Sequence, residues 1–134
     1  MLKVLPIQSK DEQEKICSQC NVKYDPDLLA YVATVDGKLT GVSQFRLTDK
    51  GGIVYDISPA DGTFDFESLF VLGRGTLNFI DLCGVHKAYF VGSVPDEQTE
   101  RLIKAIGFSK TESGFFVDLN GFFTDHCHDK KSKD

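Results

Sequence analysis

The chain has 134 residues, of which 41% are hydrophobic and 26% are charged, a composition typical of a globular domain and not of a disordered segment. The formal net charge is -5 at pH 7, so no excess of positive charge draws the protein to nucleic acid. We therefore expect one domain over residues 1–128, a charged tail over residues 129–134, and a small molecule or a protein as partner.

The apolar run near the N-terminus, residues 2–7, is too short for the core of a signal peptide. No later run reaches the roughly 20 apolar residues that span a bilayer. Four cysteines without a secretion signal indicate free thiols in a reducing compartment. These features predict a cytoplasmic protein that does not insert into a membrane.

The first half of the chain predicts a strand, a helix and an antiparallel meander. The pattern of residues 2–7 predicts a short strand. Ser9 and Glu12 have the spacing of a capping box, which predicts that a helix begins there and ends near Cys20. Residues 28–35, 39–47 and 53–57 have strand patterns. Asp36-Gly37 between the first two of these strands is a strong hairpin signal.

The second half predicts a long helix, then a strand, a helix and a strand. The long helix covers residues 66–83 and ends at Gly84, and its apolar residues surround most of the axis. A strand is expected at residues 86–91, a helix opens near Pro95 and runs to Ala105, and a last strand covers residues 114–119. The sequence Gly73-Arg74-Gly75 lies within the long helix. It predicts close packing there, with Arg74 reaching solvent or an acidic partner.

This order of elements, with Arg101, Leu102, Gly107 and Phe108 at the end of the last helix, resembles the GNAT family of N-acetyltransferases. Residues 53–59 are similar to the central fourth strand of that family. The resemblance implies an α/β fold: a mixed sheet of six to seven strands with a central antiparallel meander, flanked by three helices. It also implies acyl transfer from acetyl-CoA to an amine.

The resemblance assigns the binding of acetyl-CoA pyrophosphate to a loop between the fourth strand and the long helix. The family pattern there is Arg/Gln-x-x-Gly-x-Gly/Ala, because glycines let backbone N–H groups approach phosphates at a helix N-terminus. Neither alignment of this chain supplies the arginine or the paired glycines, and both place Asp65 and Glu67 in the segment. These carboxylates suit a helix N-terminus, but they repel phosphate. The positions assigned to cofactor contact are Ile57, Gly62, Phe64 and Phe66.

The candidates for proton transfer are few. Ile103 stands where many family members have a tyrosine that protonates the departing thiolate, and isoleucine cannot transfer a proton. Asp56 is expected to lie across from Gln44, where it is either a general base or a paired polar residue in a cleft. Tyr55 and Tyr89 are either proton donors or aromatic core residues.

Two groups of potential metal ligands lie near the ends of the chain. Cys17 and Cys20 form a C-x-x-C pair, and Cys127 lies between His126 and His128. Zinc prefers four sulfur or nitrogen ligands, so Cys17, Cys20 and Cys127 with one histidine, His128 in our preferred set, would complete a structural site. The alternatives are a redox pair and unmodified thiols.

Two functions from different classes therefore remain open. One is a GNAT-like domain with weak or lost transferase activity that binds a small ligand or a protein. The other is an active N-acetyltransferase that uses acetyl-CoA. Because a fold hosts many functions, the residues of the site must decide between them.

Overall fold

The computed structural model describes residues 1–123, which contain seven strands and three helices. In chain order these elements are β1 (Leu2–Pro6), α1 (Lys10–Gln19), β2 (Leu29–Val35), β3 (Lys38–Thr48), β4 (Gly51–Pro59), α2 (Phe66–Leu82), β5 (Lys87–Phe90), α3 (Glu97–Ile106), β6 (Ser109–Thr111) and β7 (Gly114–Asp118). The strands form one sheet in the order β1-β2-β3-β4-β5-β7-β6. This confirms the predicted fold class, with β6 as the one strand that the sequence did not assign. The tail predicted for residues 129–134 lies outside the described residues.

Strands β1 to β4 form an antiparallel meander, and β4 then pairs in parallel with β5. Asp36 and Gly37 join β2 to β3 with φ angles of 52° and 82°, which is the left-handed backbone that a tight hairpin with matching twist requires. The hairpin predicted from these two residues is confirmed. The parallel partner β5 enters the sheet through α2, as a crossover connection must.

Helices α1 and α2 lie on opposite faces of the sheet. Gln13 of α1 bonds to Gln44 of β3, whereas Thr76 of α2 bonds to Ser43, the preceding residue of the same strand. Successive residues of a strand point to opposite faces, so the two helices must cover different sides. The larger core lies on the α2 side, where α2 and α3 pack together against the sheet; its fully buried members include Leu69, Leu72, Leu77, Ile80 and Ile103.

Gly73 and Arg74 join α2 to α3. A side chain at Gly73 would collide with Ile106 of α3, which confirms the close packing predicted for this segment. Arg74 is partly exposed, as predicted, but its partners are carbonyls and aromatic rings and not an acidic residue. Its Nε donates to the Ile106 carbonyl at 2.5 Å and its guanidinium lies over the rings of Phe70 and Phe122, because the last carbonyls of α3 lack helical partners and attract a cation.

Within residues 1–123, no helix combines the length and the apolar character needed to cross a membrane.

Gly73→Ala should destabilise the protein relative to Gly75→Ala by about 1–3 kcal/mol, the usual penalty for overpacking a core. Both variants gain the same helix propensity. They differ in space, because the nearest neighbour of a Cβ at Gly75 is Val4 at 3.3 Å, whereas a Cβ at Gly73 would meet Ile106 Cγ1 at 2.8 Å. Urea denaturation of the two variants measures the difference. Equal free energies of unfolding would show that Ile106 moves aside freely.

Candidate functional site

Strands β4 and β5 separate part-way along β4. They share the register pairs Gly52↔Ala88, Ile53↔Tyr89 and Val54↔Phe90, and the Val91 amide donates to the Val54 carbonyl at 2.9 Å just beyond. β4 then continues to Pro59 in pairing with β3, whereas β5 has ended. The second half of β4 therefore has an edge that is not paired with β5.

A bulge on β4 lies at the same point. Gln44 of β3 faces Asp56 and Phe45 faces Val54, so Tyr55 is an extra residue on β4. A bulge bends its strand and increases the local twist, which turns the second half of β4 away from β5. Gly92 approaches the Tyr55 carbonyl so closely that a side chain there would collide with it.

The separation of the strands opens a cavity of about 560 Å³, within the usual range for small-molecule sites. Three segments form its walls: the second half of β4 with the loop after it, the loop and first turn at α3, and the segment after α1. Its lining residues include Asn21, Lys23, Tyr55, Asp56, Ile57, Asp61, Gly62, Phe64, Ser93, Asp96, Gln98, Thr99 and Leu102.

Asp56 is the half-buried carboxylate of this cavity. Gln44 Nε2 donates to Asp56 Oδ2 at 2.7 Å, in the cross-strand arrangement expected from the sequence. Burial raises the pKa of Asp56 above the ordinary value, and the hydrogen bond from Gln44 opposes this by favouring the ionised form. A carboxylate so placed is able to accept a proton or to bind a cation, and its role as a general base stays a prediction.

Three of the four positions assigned to cofactor contact line the cavity: Ile57, Gly62 and Phe64. Phe66 does not. It is the first residue of α2, is 43% exposed, and stacks on Phe70 with ring centroids 6.5 Å apart, because the start of the helix turns its side chain outward.

Part of the backbone before α2 is engaged within the chain. The Ala60 amide donates to the Thr40 carbonyl at 3.0 Å, the Asp61 amide to the Gln19 carbonyl at 2.9 Å, and the Thr63 amide to the Ala60 carbonyl at 3.0 Å. Asp65 is the N-cap of α2 and accepts the Ser68 amide at 3.2 Å. The start of α2 therefore already holds a carboxylate where a phosphate would dock, and three amides of the loop are not free to bind one.

The N-terminus of α3, at the other side of the cavity, is also occupied by a carboxylate. Asp96 caps this helix and accepts the Thr99 amide at 2.9 Å and the Thr99 hydroxyl at 2.7 Å. These hydrogen bonds, the hydroxyl first, lower the pKa of Asp96. Both helix N-termini next to the cavity thus carry their own anion, which disfavours a second one.

Of the candidate proton donors, only Tyr55 lines the cavity among the residues described. Ile103 is fully buried in the core beneath it. Tyr89 packs against Phe116 with ring centroids 5.2 Å apart and is not part of the cavity wall. Tyr55 is thus the one of these two tyrosines that forms part of the cavity wall.

Cys17 and Cys20 both face the smaller core, together with Val42 and Ala60. Burial raises the pKa of Cys17 to about 11, and burial with the neighbouring Cys17 raises the pKa of Cys20 to about 12, so both remain protonated thiols at neutral pH.

Residues 1–123 contain no group of three or more His, Cys, Asp or Glu placed to hold a metal. Cys127 and His128 lie outside the described residues, so the four-ligand zinc site gains no support and stays a prediction.

Comparison with known proteins relates this arrangement to one group of enzymes. No family model matches the sequence, and no curated protein is similar to it in sequence. Solved structures do match, among them a spermidine N-acetyltransferase from Vibrio cholerae with a TM-score of 0.69 and 12% identity over 90% of this chain and 95% of that chain. The chain has the GNAT fold.

Two further GNAT-fold structures cover the chain equally well. The ribosomal-protein-S18-alanine N-acetyltransferase from Escherichia coli has a TM-score of 0.67 and 10% identity over 89% of this chain and 94% of that one. An acetyltransferase from Bacillus subtilis in complex with CoA has a TM-score of 0.66 and 13% identity over 89% of this chain and 99% of that one. At such identities the likeness establishes the fold, and the chemistry must be argued from this chain.

Acetyl-CoA fits the GNAT cleft of this chain only in part. The space between β4 and β5 suits a narrow apolar group, since Ile57, Phe64, Phe90 and Leu102 line it. The segment that would receive the pyrophosphate supplies no arginine or lysine over residues 60–67, and the carboxylate of Asp65 already caps the helix that follows it. The residues present do not fit the diphosphate.

Sequence reasoning missed the wall formed by residues 93–99, which contributes Asp96 and Thr99. One signal was available: ligands of open α/β sheets bind beyond the carboxyl ends of strands, and this segment follows β5 directly. It also missed Gln13, whose role has no sequence signal because its partner Gln44 is 31 residues away.

Asp56→Asn should change the pH dependence of stability in one direction. Burial raises the pKa of Asp56 in the folded protein, so the folded form binds this proton more tightly than the unfolded chain does. The protonated Asp56 therefore adds to the free energy of unfolding. This contribution is fully present below the pKa of the unfolded chain, about 4, and is lost as pH rises through the raised pKa of the folded protein. Urea denaturation should therefore show Asp56→Asn gaining stability relative to the parent protein as pH rises towards neutrality.

Asp96→Asn is the control of opposite sign. Hydrogen bonds from Thr99 lower the pKa of Asp96, so its contribution is present above the unfolded pKa and is lost as pH falls. This variant should lose relative stability as pH rises. The same trend in both variants would contradict the burial argument for Asp56.

Proposed function

We propose that the chain is a GNAT-fold domain that binds a small, positively charged amine in the cavity beside β4, with weak or lost acyl-CoA-dependent transferase activity. The observation that carries this proposal is the position of Asp56, a half-buried carboxylate in the cavity wall. The raised pKa caused by its burial shows that the site stabilises negative charge poorly. A bound cation would relieve that imbalance.

The rest of the cavity wall supports a cation over an anion. Asp61 and Asp96 add two carboxylates, and Lys23 is the single cationic side chain among the lining residues that the structure describes. Lys23 is exposed, so water and salt screen its charge. The cavity therefore attracts an ammonium group more strongly than a phosphate.

A specific observation favours a second candidate, an active N-acetyltransferase. The bulge at Tyr55 and the separation of β4 from β5 give the cavity an unpaired stretch of strand and an apolar slot. Tyr55 and Asp56, neighbours on β4, would then be the residues placed for proton transfer. This candidate requires that acetyl-CoA bind despite the poor fit of its diphosphate.

A thermal-unfolding scan with spermidine and, separately, with acetyl-CoA distinguishes the two candidates. A ligand present at a hundred times its dissociation constant stabilises by about 2.7 kcal/mol, which for a domain of this size is a rise on the order of 10 °C. We expect such a rise with spermidine and none with acetyl-CoA, even at millimolar concentration. A rise with acetyl-CoA would favour the transferase and justify a screen for acceptor amines.

The charge on the ligand and the charge on Asp56 are tested by matched controls. A neutral diol of similar length should give no rise. Asp56→Asn should abolish the effect of spermidine, whereas Asp49→Asn, which removes the same charge from the exposed turn between β3 and β4, should retain it. Equal loss in both variants would mean that net charge, and not the cavity, attracts the amine.

Removal of the carboxylates at the start of α2 should not restore binding of acetyl-CoA. The double variant Asp65→Asn with Glu67→Gln keeps a good N-cap, because asparagine caps helices as well as aspartate. The segment 60–67 still supplies no arginine or lysine to pair with the diphosphate, so we expect no change in affinity by isothermal titration calorimetry. A clear gain in affinity would show that charge alone excludes the diphosphate.

A further inference from the structure

A chain of hydrogen-bonded side chains leads from the surface of α1 to Asp56. Gln44 is 0% exposed and Gln13 is 1% exposed. Gln13 Nε2 donates to Gln44 Oε1 at 3.0 Å, and Gln44 Nε2 donates to Asp56 Oδ2 at 2.7 Å. At the outer end, the Lys10 ammonium donates to Gln13 Oε1 at 3.2 Å. Both buried amides are therefore bonded at their oxygen and at their nitrogen.

The segment between α1 and β2 fixes the orientation of the Gln44 amide. The Lys23 carbonyl, which only accepts, receives a hydrogen of Gln44 Nε2 at 2.9 Å, and the Asp25 amide, which only donates, approaches Gln44 Oε1 at 3.4 Å. A flipped amide would place its oxygen against the Asp56 carboxylate and its nitrogen against the Asp25 amide. Gln44 thus has one orientation, with a donor directed at Asp56.

The two oxygens of Asp56 consequently differ. Oδ2 is held by Gln44. Oδ1 makes no hydrogen bond to any residue from 1 to 123 and is not among the fully buried polar atoms left without a partner there. Since Asp56 lines the cavity, Oδ1 is the oxygen available to a ligand.

We propose that Gln44 is the positioning residue of the cavity: it fixes Oδ2 of Asp56 and thereby directs Oδ1 to the ammonium group of the ligand. This inference rests on the proposed function for the identity of the ligand. The geometry of Gln44 and Asp56 is a property of the protein without ligand, which allows the two to be tested separately.

No titratable group in the described part of the chain takes the place of Gln44 in this role. The titratable residues around Asp56 are Cys17 of α1, Cys20 at the C-cap of α1, Tyr55 on β4, and Lys23, Asp61 and Asp96 in the cavity wall. In the described part of the chain, Gln44 is the one residue whose side chain hydrogen-bonds to the Asp56 carboxylate. The two cysteines are neutral at physiological pH because burial raises the pKa of both.

The competing explanation is that Gln44 merely joins α1 to the sheet. Gln44→Met, which keeps the length of the side chain and removes its donor, is therefore compared with Ser43→Ala. Ser43 is also fully buried and accepts a hydrogen bond from Thr76 at 2.9 Å, but on the opposite face of β3. Ser43→Ala loses one buried hydrogen bond, whereas Gln44→Met loses the bonds of Gln44 to Gln13, Lys23, Asp25 and Asp56. Only Gln44→Met removes a contact with Asp56.

The first readout is the titration of Asp56 in the protein without ligand, followed by the carboxyl carbon signal in NMR. Gln44→Met should raise the pKa of Asp56, because the lost hydrogen bond favours the ionised form. Ser43→Ala should leave it unchanged. An unchanged titration in Gln44→Met, or an equal change in both variants, would overturn the positioning role.

The second readout is the affinity for spermidine. A hydrogen bond to a charged group corresponds to roughly a ten- to hundred-fold change in affinity, and we expect a loss of that size in Gln44→Met and none in Ser43→Ala. Equal affinity for spermidine in the two variants would mean that Gln44 has only a structural role. Failure of the parent protein to bind spermidine, with the Asp56 titration shifted in Gln44→Met alone, would refute the proposed ligand and uphold the positioning of Asp56.

Gln44→Asn provides a second variant in case Gln44→Met does not fold. It retains an amide but is one methylene shorter, so its donor no longer reaches Asp56 Oδ2 at hydrogen-bond distance. The pKa of Asp56 should therefore be higher than in the parent protein, because the lost hydrogen bond favours the ionised form. An unchanged Asp56 titration would mean that Gln44 does not hold Oδ2 and would overturn the inference.

Discussion

The site depends on the unequal lengths over which β4 pairs with its two neighbouring strands. It stays with β3 as far as Pro59 but with β5 only to the Val54↔Phe90 pair. The extra residue Tyr55 lies at this divergence, and the added twist of a bulge separates the strands there. The unpaired edge, the cavity and the exposure of Asp56 to it all follow from this one departure from regular pairing.

The two ends of the cavity suit different chemistry. Near the divergence of the strands, Ile57, Phe90 and Leu102 give an apolar wall next to Asp56. Towards α2, the capping carboxylate of Asp65 accepts the Ser68 amide at the place where a phosphate would bind. A helix N-terminus attracts anions only when its N–H groups are free, so the GNAT fold does not by itself ensure a place for a diphosphate.

The sequence predicted most of the fold because its local signals agree with one another. Asp36-Gly37 specifies a hairpin by backbone preference alone, and Ser9 and Gly84 mark helix ends in the same way. The strand β6 was missed because its three residues are all polar and exposed, so they show no alternation of apolar and polar side chains. In the site, Asp56 and Gln44 were found by counting across a tight turn. The link from Gln44 to Gln13 was not found, because it joins α1 to β3 through space and depends on how the helix rests on the sheet.

Stability does not explain the choice of residues between α1 and the sheet. Buried polar groups in water-poor surroundings lose hydration, and an apolar pair of the same volume would hold the helix at least as well. Gln13 and Gln44 offset that loss only by bonding at both ends of each amide. The last bond of the series goes to a carboxylate that burial itself destabilises. The same side chains also hold the backbone of residues 23–28, but that contact does not require a bond to Asp56. The bond from Gln44 to Asp56 adds a fixed orientation of the carboxylate, which is the property that a binding site in the cavity needs.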